Sequence, residues 1–124
     1  MKVLTKEQIL DYHKELINRY GGSHGIRDEK LFDSALAVPF QSFGGIDFYP
    51  STEEKAARLG YGLAANHPFH DGNKRIGAHA MLAFLCMNDI KLSYTTDELS
   101  DIFMSVASGN TEESELLDWI NSHK

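Results

Sequence analysis

From Ile76 to Met87 every residue except His79 is apolar or glycine. A helix that is apolar almost all round must be covered by other elements. The run falls short of the ~18 consecutive apolar residues that a membrane span needs, so the cover has to come from the rest of the chain. We therefore expect a helix over roughly Asn73 to Asn88 at the centre of a helical domain, with His79 as a polar break or a contact to another helix and Cys86 as a small core residue. The 124 residues suffice for a single domain over 1–124. A chain of that length buries roughly two-thirds of its unfolded surface.

The flanking segments supply the cover. Thr5 and Gln8 form a capping box, with Leu4 and Ile9 at staple positions, and Ile9, Leu10, His13, Leu16, Ile17 and Tyr20 then share one helical stripe that Gly21-Gly22 ends. A second helix starts near Asp28, buries Leu31, Phe32, Ala35 and Leu36 and stops before Pro39. Aromatics around Gly44-Gly45 break the helical pattern over 40–50 and predict a short hairpin-like flap. Ser51 with Glu54 opens a third helix running to about Asn66, whose small residues permit close approach to a neighbour. Thr95 with Glu98 caps a further helix, stapled by Tyr94 and Leu99 and ended by Gly109; a last one runs from about Thr111 and carries Leu116, Leu117, Trp119 and Ile120. The expected fold is all-α, about six helices with one small flap.

Immediately before the apolar run stands His67-Pro68-Phe69-His70-Asp71-Gly72-Asn73-Lys74-Arg75. The start of a buried helix leaves backbone N–H groups unpaired, and its dipole favours negative charge. Gly72 allows close backbone approach. Lys74 and Arg75 in the first turn oppose the helix dipole unless an anion sits there, and phosphate is the usual such anion. His67 is a candidate proton acceptor. Asp71 is a hard oxygen ligand suited to Mg²⁺, and equally a possible N-cap of the next helix. Phe69 is expected to anchor the loop in the core, and His70 to lie exposed outside the site. A metal-hydrolase cluster of His67, His70, Asp71 and His79 is disfavoured, because Pro68 and Gly72 deny the loop regular helical ligand spacing. A Walker loop is excluded, since Lys74 precedes Arg75 rather than Ser or Thr.

Net charge is −6 with no long basic run, which disfavours non-specific nucleic-acid binding. Cys86 is the lone cysteine, so no intrachain disulfide forms. Together with the lack of a signal-peptide pattern this favours the cytoplasm.

The nine-residue motif resembles the signature of the Fic/Doc superfamily, and more closely its Doc (death-on-curing) branch. Residues 18–22, 25–28, 44–50 and 54–64 are also similar to that branch. The resemblance implies a toxin that transfers a phosphate from ATP, with Mg²⁺, to a threonine of elongation factor Tu and so stops translation. It also implies a Phd-like antitoxin partner. By position it makes His67 the general base; Asp71 helps hold the metal and phosphates; Gly72 and Asn73 form the anion cradle; Lys74 and Arg75 bind phosphate and offset charge as the bond breaks. The flap near 41–49 would dock the target. AMP-transferring relatives typically have glycine at the position of Lys74 and a second arginine at that of Ala78, and both departures favour the phosphate-transferring mode. Thr111 and Glu115 are the nearest match to a built-in inhibitory helix, but Leu116 follows, so control by a separate antitoxin is expected. AMP transfer to a protein hydroxyl and a non-catalytic antitoxin-binding module are the alternatives. No membrane or direct nucleic-acid partner is expected, and the free chain is expected to be a monomer.

Overall fold

Each predicted capping box closes in the computed structural model, which describes residues 1–124. Thr5, Ser51 and Thr95 each accept a hydrogen bond from the backbone three residues on, and Gln8, Glu54 and Glu98 reach back to the cap. These caps start α1 (Lys6–Tyr20), α3 (Thr52–Ala65) and α5 (Thr96–Ala107). Asp28 caps α2 (Glu29–Ala37), a 3₁₀ turn over Val38–Phe40 follows at Pro39, and Glu112 opens α6 (Glu113–Ser122). The remaining helix, α4 (Asn73–Met87), begins after the motif loop. Two short strands, β1 (Ser42–Phe43) and β2 (Ile46–Asp47), pair antiparallel with Phe43 opposite Ile46. Gly44 and Gly45 both have positive φ at the tip, which a tight hairpin of this kind requires.

The all-α architecture is built on α3 and α4. Gly77 faces Gly60: a Cβ on Gly77 would stand 2.9 Å from the Gly60 carbonyl oxygen and 3.0 Å from the Ala64 Cβ. The two backbones therefore meet at a distance that only glycine permits. Around the pair, α2 and α6 pack on α3, while α1 and α5 pack on α4. Phe32, Leu63, Phe69, Ile76, Met81, Phe84, Phe103 and Leu116 fill the shared core.

One expectation fails on α4. Cys86 is exposed, not a core residue, and so is His79. Ile76, Gly77, Ala80, Met81, Phe84 and Leu85 form the buried face. Five neighbouring helices are too few to wrap the whole circumference. The uncovered side becomes the floor of a groove, where Ala78 and Leu82 meet Leu16 and Tyr20 of α1 and Leu99 and Phe103 of α5. His79 does make the expected contact to another helix, edge-on to Tyr12 of α1 at 4.5 Å. No helix is long and apolar enough to cross a membrane.

Candidate functional site

The motif loop is held from outside itself. At the end of α3, His67 turns into the left-handed region with φ 51°, a conformation that costs a residue bearing a Cβ about 1–2 kcal/mol. Arg27 grips this turn: its Nε donates to the His67 carbonyl at 2.7 Å and its terminal nitrogen to the Asn66 carbonyl at 3.1 Å. The backbone N–H groups of Arg27 and Asp28 both donate to the Pro68 carbonyl, and that of His70 donates to the Gly25 carbonyl. Residues 25–28 thus run antiparallel along 67–70, with a β-bridge between Ile26 and Phe69.

Phe69 is the anchor, 1% exposed. Its ring stacks on His13 at 3.7 Å and leans on Phe32 at 5.0 Å. The buried Asn73 amide closes the loop on itself, accepting from the Phe69 N–H at 3.0 Å and donating to the Phe69 carbonyl at 3.1 Å. His13 Nε2 lies 2.8 Å from the Asp71 carbonyl; a carbonyl only accepts, so Nε2 carries the hydrogen. Burial lowers the His13 pKa, against a smaller upward pull from that hydrogen bond, and keeps the ring neutral at pH 7. The Asp71 carboxylate accepts from the Ser23 N–H at 2.7 Å through one oxygen. It does not cap α4, because the N-cap is Gly72 in the left-handed region. Gly72 has φ 77°, which favours glycine, and a Cβ there would also press on the Ile17 terminal methyl at 3.1 Å.

With no side-chain cap on α4, the N–H groups of Asn73, Lys74 and Arg75 have no protein acceptor. They lie at a cleft of about 430 Å³ bordered by His67, His70, Asp71, Gly72, Asn73, Lys74 and Arg75. Its opposite wall is Met104, Ala107 and Ser108 at the end of α5. His67 is exposed, and its Nε2 stands 3.2 Å from the Ala107 carbonyl. A neutral ring that donates there offers Nδ1 to accept a proton. Lys74 is exposed and makes no ion pair. Arg75 lies over the Tyr20 ring at 4.5 Å. Both cations also border the apolar groove between α1, α4 and α5. His70 is exposed, as expected, although it lines the cleft.

Asp71 keeps one carboxylate oxygen free of protein partners. No group of three or more His, Cys, Asp or Glu side chains gathers anywhere to hold a metal ion. The residues present fit Mg²⁺ in its usual nucleotide-bound form, where one carboxylate and substrate phosphates share the ion. They do not form an all-protein cage.

Several contributors escape a reading of the motif alone. His13 is visible only as a histidine on an otherwise apolar stripe. Arg27 and Lys55 stand in the similar stretches 25–28 and 54–64, yet nothing local reveals what they touch. Lys55 is 5% exposed and donates to the Tyr49 carbonyl and to Asp47, tying the base of the hairpin to α3. The α5 wall has no sequence signal, because it arrives from about thirty residues away or more.

Comparison with known proteins agrees with this geometry. A sequence model described as the Fic/DOC family matches residues 3–85. A protein named Toxin Doc from Mycolicibacterium smegmatis is 39% identical over 90 residues, covering 71% of this chain and 69% of its own length. Protein kinase doc of Escherichia phage P1 is 27% identical over 118 residues, covering 95% of this chain and 92% of its own.

Proposed function

The chain belongs to the Fic/DOC family, and from that premise we propose that it is a Doc-like toxin, a protein kinase that moves the terminal phosphate of ATP to a protein hydroxyl. The hydroxyl would be a threonine of elongation factor Tu, and its modification would inhibit translation. One observation carries this proposal. The free N–H groups at the start of α4, Lys74, Arg75 and the exposed His67 all border one cleft.

Phosphoryl transfer asks a protein mainly to position groups and stabilise charge. The target hydroxyl attacks the γ-phosphorus, the bond to the β-phosphate oxygen breaks, ADP leaves, and the hydroxyl proton passes to His67. The first-turn N–H groups and Gly72 seat phosphate oxygens. Lys74 and Arg75 offset the charge that shifts toward ADP. Asp71 would help hold Mg²⁺, which when bound would supply neutralisation of the phosphate charge. Lys74, where AMP-transferring relatives have glycine, and Ala78, where they have a second arginine, favour phosphate over AMP as the transferred group. So does the name of the phage relative, Protein kinase doc. The hairpin would receive the target segment by strand pairing. An antitoxin seated in the groove between α1, α4 and α5 would cover Lys74 and Arg75, which border both cavities.

The test is to incubate the protein with a translation extract and ATP labelled at either the γ- or the α-phosphate. Labelling of protein from the γ-position, lost in His67→Ala, is expected. Labelling from the α-position alone would establish AMP transfer instead.

A further inference from the structure

We propose that Arg27 is the positioning residue for His67, holding the general base in its left-handed conformation through two backbone carbonyls. The proposal rests on the reading of His67 as the base.

The chain has to leave α3 and turn sharply into the loop. At that point the carbonyls of Asn66 and His67 have passed the end of the helical ladder and need outside donors. His67 takes φ 51° with no glycine to ease it. Pro68 removes a donor from the next position. One guanidinium serves both carbonyls, at 2.7 and 3.1 Å. Its planar fork suits two acceptors on successive residues, which a lysine ammonium matches poorly. At the same time the backbone N–H of Arg27 holds the Pro68 carbonyl at 2.7 Å. Arg27 therefore touches three consecutive residues centred on His67, yet it does not line the cleft. It acts on the chemistry only through the histidine.

Substitution separates these attachments. Arg27→Ala keeps the backbone bond to Pro68, so residues 25–28 stay seated. It removes only the two bonds that fix the Asn66 and His67 peptides. The Arg27 side chain is on the surface, where loss of packing is small. The effect should then appear in the chemical step. A misplacement of about 1 Å can lower a rate about 100-fold.

The experiment compares wild type, Arg27→Ala and Arg27→Lys for transfer from labelled ATP, thermal stability, and the ring NMR signals of His67 against those of His70. Arg27→Ala is expected to lower kcat about 10- to 100-fold, to leave KM for ATP within a few-fold, and to shift the His67 signals alone; Arg27→Lys should fall between. A kcat within twofold or so of wild type, or one that drops only as the folded fraction drops, would overturn the role. If wild type transfers nothing from either label, the proposed function fails on its own terms. The NMR arm still decides the inference in that case, because unchanged His67 signals in Arg27→Ala contradict it.

Discussion

The motif loop and the hairpin are the two irregular segments that meet substrate in this account, and they are built in opposite ways. The loop has almost no freedom. Arg27, Asp28, Gly25, Ser23 and His13 reach it from two other segments of the chain, and Phe69 sits in the core. The hairpin has one two-residue ladder and one outside tether, Lys55. Phe43 is 80% exposed, Ile46 73% and Phe48 58%. On the proposed function, the contrast assigns the two tasks of a protein-modifying transferase to different physical states. Atoms that take part in bond breaking are held before substrate arrives. The surface proposed to receive a large partner keeps unpaired strand edges and apolar side chains free to adapt.

Substitutions in each segment test this contrast. The largest effect is expected from His67→Ala, which should cut transfer by about 10²–10⁴-fold while moving unfolding free energy by less than about 0.5 kcal/mol, since the ring is exposed. Kinetics beside a denaturant titration reads both. Next comes Phe69→Ala, which should cost about 3–5 kcal/mol and abolish activity by releasing the loop. Retained activity with a lowered melting temperature would show that the anchor is not needed to hold the base.

On the hairpin the signs reverse. Lys55→Met fills the same space but lets go of Asp47 and the Tyr49 carbonyl. It should raise KM for the protein substrate severalfold, leave KM for ATP unchanged and barely move stability. Equal changes in both KM values would mean that hairpin and loop are coupled.

The smallest effect is a pH dependence of stability. Burial depresses the His13 pKa below its ordinary 6.5. As pH falls below 6.5, the unfolded chain takes up protons that the folded chain refuses, so stability present above that pH is lost. Glu98, accepting from His123, raises the His123 pKa, and this pair pulls weakly the other way, adding stability below 6.5 that is lost as pH rises through the raised pKa. Melting temperatures on both sides of pH 6.5 should fall toward acid, and His13→Gln should flatten the slope.

Much of the scaffold is legible in the sequence because its signals are local. Capping boxes at Thr5, Ser51 and Thr95 mark helix starts to the residue, and Gly44-Gly45 marks the hairpin tip. Cys86 was not legible. In a run that is apolar all round, periodicity cannot say which side faces a neighbour; that depends on how many helices are present to cover it. The site divides likewise. The chemistry proposed for His67, Asp71, Lys74 and Arg75 is drawn from nine adjacent residues. What keeps them in place comes from positions 13, 23 and 27, through contacts that span forty residues or more and leave no local pattern.

On the proposed function, the cleft at the start of α4 directs a phosphate, and not AMP, onto a protein hydroxyl. Intact-mass analysis of purified elongation factor Tu after incubation with ATP, Mg²⁺ and the protein tests it most directly. A single phosphate increment on a threonine is expected, absent with His67→Ala. An AMP increment, or an unmodified factor under conditions where the wild-type protein arrests translation, would contradict it.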